Sequence, residues 1–365
     1  MQERLNQIQG IRAIAMLGVF ITHTSCWIAD DLGWFAPIAG SLGGFGVVTF
    51  FMLSGFLLGY KNTIIPKLTK SGGIKAAWQK ASKMYALYFV TIVVAFIAKF
   101  PDNSYDWLKA AISLPFNLTL TQAFVPSPSI INSFNGPAWF LSAFFGIWLL
   151  VYMFPGFINK LQSLSKRRCV QAILLLLLIQ SGWLLVAEYG ILPLLRRQYY
   201  LHNCYGWLVY NNPLLCLSEF CCGIIIGRLS IIKKNAIKSQ NLWALLAVIL
   251  TTGYMTALAH RLKIILPWIV IIECLVCVGL ISCMSSDSIA GKVLSSRVLV
   301  WFGNLTGYFF LIHGAINYAL RTFLQPYIGN PYPWLFFVSL AISLGLSTCA
   351  ERLYNVREMS VSITK

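Results

Sequence analysis

The sequence predicts an all-α polytopic membrane bundle of about ten transmembrane helices, with the N- and C-termini both cytoplasmic. Three observations predict it. Of 365 residues, 58% are hydrophobic and only 11% are charged, where a soluble domain carries about a quarter. The mean hydropathy is +0.72. The apolar residues fall into blocks long enough to span a bilayer, which takes roughly 17–25 residues each. The basic residues gather in alternate connections between those blocks.

The blocks run 8–28, 44–60, 84–100, 137–157, 169–187, 212–229, 241–259, 264–284, 299–322 and 333–350. With the first connection external, the inward-facing segments hold Arg4, six lysines in 61–83, the Lys160 to Arg168 group, Arg228 to Lys238, Lys292 and Arg297, and Arg352, Arg357 and Lys365. That is 20 of the 28 Lys and Arg; seven lie outside and Arg12 lies within the first block. Such asymmetry is the positive-inside signature. The segment 101–136 decides the count. It contains the moderately apolar "WLKAAISLPFNLTL" but also Lys109, Pro115 and many hydroxyls and amides. If it crossed, the last 13 inward charges would turn outward, so it is expected to be an external re-entrant piece.

The same distribution absorbs the net charge of +17. Basic excess is also the footprint of nucleic-acid binding, but here it sits on short inner loops, and no nucleic acid is expected. Arg12 interrupts what would be the apolar region of a signal peptide, and no small-residue cleavage site follows. The ten cysteines lie mostly inside spans, without zinc-type CxxC pairs, and read as small apolar fillers. No internal repeat, Gly-rich phosphate loop or low-complexity tract interrupts the pattern. The whole of 1–365 is expected to be one integral membrane domain without a metal.

The first block reads "RLNQIQGIRAIAMLGVFITHTS". Arg12 and His23 are eleven residues apart, about three helical turns, so they share a face about 16 Å apart along the axis. An intramembrane arginine costs about 2.5–3.5 kcal/mol even on the lenient insertion scale. It should face the bundle interior or a wet cavity, and the two groups should open on one shared path.

The chain resembles the acyltransferase 3 family of integral membrane enzymes, which move acyl groups, usually acetyl, onto sugars and other acceptors. Arg12 and His23 match that family's basic residue, ten residues, then histidine. "GVVTFFMLSGFLLG" resembles its phenylalanine-rich second span with Ser54, Gly55 and Phe56. "PAWFLSAFFGIWLL" resembles its tryptophan segment at Trp139, and "GNLTGYFFLIHGAINY" its late helix ending in a histidine, His313. Two features depart from the pattern. Lys80 and Lys83 stand where many members have an Arg-x-x-Arg pair, and lysine lacks arginine's bidentate fork. Phe144 stands where some members have glutamate.

The resemblance implies an acyl-CoA donor, acetyl-CoA in the first instance, and a hydroxyl acceptor on a cell-surface glycan or lipid-linked sugar. Transfer needs a base for the hydroxyl proton, stabilisation of the oxyanion and a donor held in line. His23 is the expected base, or else a covalent acyl relay. Arg12, Lys80 and Lys83 are placed by topology to meet the coenzyme phosphates; Lys80 and Lys83 are equally what the positive-inside pattern alone supplies. Ser54 either donates near the thioester or allows close helix packing. Trp139 either lines the acyl tunnel or belongs to an interfacial belt. His313 either orients His23, binds the acceptor, or bonds a neighbouring carbonyl. Glu219 and Glu273 also lie within spans and need partners, a histidine among the candidates. The stretch 188–211, rich in Tyr, Trp and Arg, suits a sugar wall or an aromatic belt. The rival function is a transporter or flippase for polysaccharide or lipid-linked sugar, against which stands the lack of repeats and matched broken helices. The expected setting is a bacterial cytoplasmic (inner) membrane, with lipid as a partner; a homo-oligomer is left open.

Overall fold

The computed structural model describes residues 6–28, 33, 36–100, 106–196, 204, 206–232, 289–327 and 333–363, and these are helical throughout apart from turns and short links. The main helices are α1 (Asn6–Thr24), α2 (Ala36–Lys61), α3 (Lys70–Ala81), α4 (Tyr85–Lys99), α5 (Trp107–Leu118), α6 (Trp139–Met153), α7 (Lys166–Leu185), α8 (Pro213–Ile232), α9 (Arg297–Phe323) and α10 (Pro333–Ile363). Eight of the ten predicted blocks coincide with a described helix. The blocks at 241–259 and 264–284, and Glu273 with them, lie outside the described residues.

Among the described residues, seven helices are long and apolar enough to cross a membrane. The first helix is not one of them. Gln7, Gln9, Arg12 and three polar residues near its end, Thr22, His23 and Thr24, dilute its apolar content. It has no need of a lipid-compatible surface, because it lies between α2 and α9. By contrast α4, α7 and α10 leave rows of large apolar side chains exposed, among them Phe89, Ile97, Leu174, Leu178, Phe337 and Leu346. In water so much exposed apolar surface would drive association. In lipid it is the expected exterior of an integral membrane protein.

Small residues allow the interior helices to touch backbone to backbone. Gly55 and Gly59 of α2 rest against the carbonyls of Phe220 and Ile224 of α8, while Gly223 and Gly227 of α8 rest against the backbone of Met52 and Phe56. A Cβ at any of the four would overlap its neighbour's main chain. The start of α1 packs in the same way: Gly10 meets Leu294, in the short helix before α9, and Gly303 of α9 meets Gln9.

The contacts set helix directions. α1, α4 and α9 run parallel, since Gln9 meets Gly303, His23 meets His313 and Lys99 meets Tyr318. α2 runs against α1, and α10 runs against α9 through Ser339–Asn317 and Tyr354–Tyr308. So α1 begins and α10 ends at one end of the bundle, the arrangement expected if both termini share a compartment.

The segment after α4 does not cross. α5 has twelve residues, about 18 Å against a hydrocarbon core of about 30 Å. Asp106 caps it, accepting from the Lys109 amide at 3.0 Å, and pairs with the Lys109 ammonium at 2.9 Å. Those bonds hold the Asp106 carboxyl below the ordinary carboxylate range. The chain then folds back into the bundle. Tyr85 and Tyr88 donate to the Leu118 and Asn117 carbonyls at 2.6 and 3.0 Å, and Ser142 on α6 donates to the Leu120 carbonyl at 2.7 Å. These bonds satisfy the irregular backbone, which is the condition for placing it near a membrane interior.

Candidate active site

The site forms where α1 and α9 run side by side. Phe20, on α1, packs edge-on against Phe309 of α9 with ring centroids 5.5 Å apart. One turn further along each helix the aromatic contact becomes a polar one. His23 Nδ1 and His313 Nε2 are 2.8 Å apart, and the two imidazoles stack with centroids 5.1 Å apart and planes 16° from parallel. His313 is fully buried, enclosed by Phe20, Phe309 and Phe310 at 6.3, 5.9 and 5.8 Å.

The hydrogen-bond chain assigns the protons. His313 Nδ1 lies 3.0 Å from the Phe309 carbonyl. A carbonyl oxygen only accepts, so Nδ1 carries the hydrogen and, in a neutral ring, Nε2 is the acceptor. His23 Nδ1–H must then donate to it. That leaves the lone pair of His23 on Nε2, which makes no hydrogen bond among the described residues. An imidazole held this way presents one unprotonated nitrogen in one direction, the configuration of a general base with an orienting partner.

Both histidines are on anchored backbone. Thr22 donates to the Ala39 carbonyl and accepts from the Gly43 amide, each at 2.7 Å, which ties the end of α1 to α2. Thr24 bonds back to the Phe20 carbonyl at 2.7 Å. On the other side Asn135, in the fold-back segment, donates to the Leu311 carbonyl at 2.8 Å and to Thr91 Oγ1 at 3.0 Å. One amide thereby joins α4, α9 and the approach to α6. Gly314 makes room for it, since a Cβ there would strike Asn135 and Pro137. Sequence reasoning did not single out Asn135 or Thr91. The signal available was a polar residue in "SFNGPAW", directly before Trp139.

The other predicted residues spread along the bundle. Arg12 is half-buried on α1 and has no hydrogen bond or ion pair among the described residues; it sits about 16 Å along the axis from His23. Lys80 is exposed at the end of α3, its ammonium 4.9 Å from the centre of the Trp148 ring. Lys83 is exposed in the turn between α3 and α4, and its neighbour Met84 lies over Gly307, six residues before His313 on α9. Ser54 donates to the Phe50 carbonyl at 2.8 Å within its own helix, next to the Gly55–Phe220 contact. Trp139 opens α6 as a buried residue with its ring 5.2 Å from Tyr210. With the Asn211 amide oriented to satisfy both its ends, Trp139 Nε1 donates to Asn211 at 3.3 Å. Burial removes Trp139 from any interfacial belt.

The expected glutamate–histidine pair is not formed by Glu219. That carboxyl is buried in α8 with Oε2 unpartnered among the described residues, while His23 takes His313 instead. Of the aromatic stretch 188–211, residues 197–203 and 205 lie outside the described residues. Its end, Trp207–Asn211, is a π-helical turn, a form frequent at functional sites. Trp207 Nε1 donates to the Ala123 carbonyl at 2.8 Å, so the fold-back segment and this aromatic turn do meet.

The family model described as "Acyltransferase domain" matches residues 5–352, nearly the whole chain, from the start of α1 into α10. The chain is 25% identical over 328 residues to "Acyltransferase MdmB" of Streptomyces mycarofaciens, covering 85% of this chain and 78% of that protein. No solved structure matches it. The match takes in both histidine-bearing helices and the glycine-packed core between them, and the chain accordingly belongs to the acyltransferase 3 family of membrane acyltransferases.

Proposed function

We propose that the protein transfers an acyl group, acetyl in the first instance, from acyl-CoA to a hydroxyl of a cell-surface glycan or lipid-linked sugar, with His23 as the general base. The observation that carries this reading is the part-buried His23–His313 hydrogen bond, with the His23 lone pair left on Nε2. As the acceptor oxygen attacks the thioester carbon, its proton passes to His23 Nε2. The C–S bond then breaks and coenzyme A leaves as thiol or thiolate. The imidazolium is stabilised through Nδ1–H, whose acceptor is His313.

The donor enters from the end where α1 begins, taken as cytoplasmic. Arg12, half-buried and without an acidic partner among the described residues, and the exposed Lys80 and Lys83 supply positive charge for the coenzyme phosphates. The acyl group has to reach His23, about 16 Å along α1 from Arg12. Ser54, already bonded to its own helix, serves packing more than oxyanion binding. The acceptor approaches from the His23 end, where the fold-back segment and the Trp207–Asn211 turn converge. The test is transfer of label from radiolabelled acetyl-CoA to a glycan extract by purified protein. Label in the glycan supports the reading. Glycan crossing vesicles without acylation would replace it with a transporter.

A further inference from the structure

Lys99 and Arg321 are among the seven basic residues that the charge pattern leaves on the external side, where insertion orientation gives them no role. The structure brings both to the end of the bundle at which His23 lies. Lys99 ends α4, with its ammonium 4.3 Å from the centre of the Tyr318 ring. Arg321 is three residues beyond Tyr318 on α9, so their side chains are surface neighbours. Its guanidinium reaches across to the end of α1. There Nη2 donates to Cys26 Sγ, and the guanidinium carbon lies 5.7 Å from the centre of the Trp27 ring. Cys26 is three residues past His23. An arc of Lys99, Tyr318, Arg321 and Cys26 therefore crosses the end of the bundle about one turn beyond the catalytic imidazole.

Two further facts give the arc a ligand preference. Arg321 is exposed and has no carboxylate partner among the described residues. Thiol sulfur is a weak acceptor, and the rest of the guanidinium fork, which matches planar oxyanions, remains for something stronger. Asn317, buried and one turn from His313 on the same face, accepts from Ser339 Oγ at 2.5 Å. That bond fixes its amide, and Nδ2 is left as a donor without a partner among the described residues.

We propose that Arg321, with Lys99 across the Tyr318 ring, binds a carboxylate or phosphate of the acceptor and so selects acidic acceptors over neutral ones. This rests on the acyl-transfer reading, in which the acceptor arrives at the His23 end. An oxyanion there is also what an anionic lipid headgroup would offer, and the experiment separates the two sources.

Full-length protein in phosphatidylcholine nanodiscs is assayed with labelled acetyl-CoA and two matched acceptors, an alkyl glucuronide and its methyl ester. The wild type should favour the acid about tenfold in kcat/KM, and Arg321→Gln should remove that preference by raising KM for the acid alone, with kcat and the ester unchanged. Lys99→Gln should act in the same direction. No preference in the wild type, or an equal loss on both acceptors, overturns the proposal. Phosphatidylglycerol that abolishes the acid preference in the wild type without slowing the ester assigns the site to lipid and overturns the acceptor assignment. Absence of transfer to any acceptor counts against the acyl-transfer reading alone. The anion site is then tested by calorimetric titration with glucuronate and methyl glucuronate: wild type binding only the former, with Arg321→Gln binding neither, supports it, and equal binding by both proteins refutes it.

Discussion

Replacing His313 with phenylalanine separates its hydrogen bond from its packing. The side chain is fully buried among Phe20, Phe309 and Phe310, so a phenyl ring keeps the apolar volume while removing the acceptor for His23 Nδ1. The stranded donor costs about 1–3 kcal/mol, and His23 escapes that cost by changing tautomer or turning, either of which misplaces Nε2. Carried into the barrier, the same energy lowers kcat by roughly 5- to 150-fold. KM for acyl-CoA should hold, because no donor contact is lost. The assay is steady-state transfer from labelled acetyl-CoA at matched expression, beside His23→Ala and the double variant. The double variant should be no slower than His23→Ala alone, since His313 acts only through His23. A kcat within twofold of wild type for His313→Phe, or additive losses in the double variant, would refute the reasoning.

Other consequences follow from the same contacts. Arg12→Gln and the Lys80→Gln, Lys83→Gln pair should each raise KM for acyl-CoA by about tenfold, more than they lower kcat; steady-state kinetics over coenzyme concentration checks this. Ser54→Ala should keep activity within about threefold, because the hydroxyl is bound to the Phe50 carbonyl and its loss removes only a local bond. Gly55→Val drives a side chain into the Phe220 carbonyl and should destabilise the fold by at least the ~1–3 kcal/mol of ordinary overpacking, read as a lower Tm in detergent. Glu219→Gln should leave turnover near wild type, since the carboxyl touches neither histidine; a sharp fall in kcat would bring Glu219 back into the chemistry.

Much of this was legible from residue order because lipid imposes strong patterns. Long apolar blocks and the one-sided basic loops led to the helices and to termini at one end of the bundle. The spacing of Arg12 and His23 turned Arg12 toward the bundle interior or a wet cavity, and α1 does lie between α2 and α9, which cover it. The segment 101–136 was ambiguous because its apolar run is interrupted by Lys109 and Pro115, and its fold-back depends on bonds from Tyr85, Tyr88 and Ser142 that lie outside it in sequence. What was not legible was pairing across long separations. The resemblance offered His313 as a group that orients His23, but nothing near His23 signals which residue it bonds, and glutamate stood beside His313 as a candidate until the two helices were seen in parallel. Asn135 was missed for the same reason, since its value comes from Thr91 and Leu311. The reciprocal glycines at 55, 59, 223 and 227 are readable as spacing, but only their contact shows that each helix supplies the surface for the other.

The account stands or falls on the imidazole of His23. The most direct test is acyl transfer by His23→Ala in purified, folded protein, beside wild type at the same acetyl-CoA and acceptor concentrations. The prediction is a loss of about 10²- to 10⁴-fold in kcat with coenzyme binding retained. Transfer at the wild-type rate by that variant would contradict it.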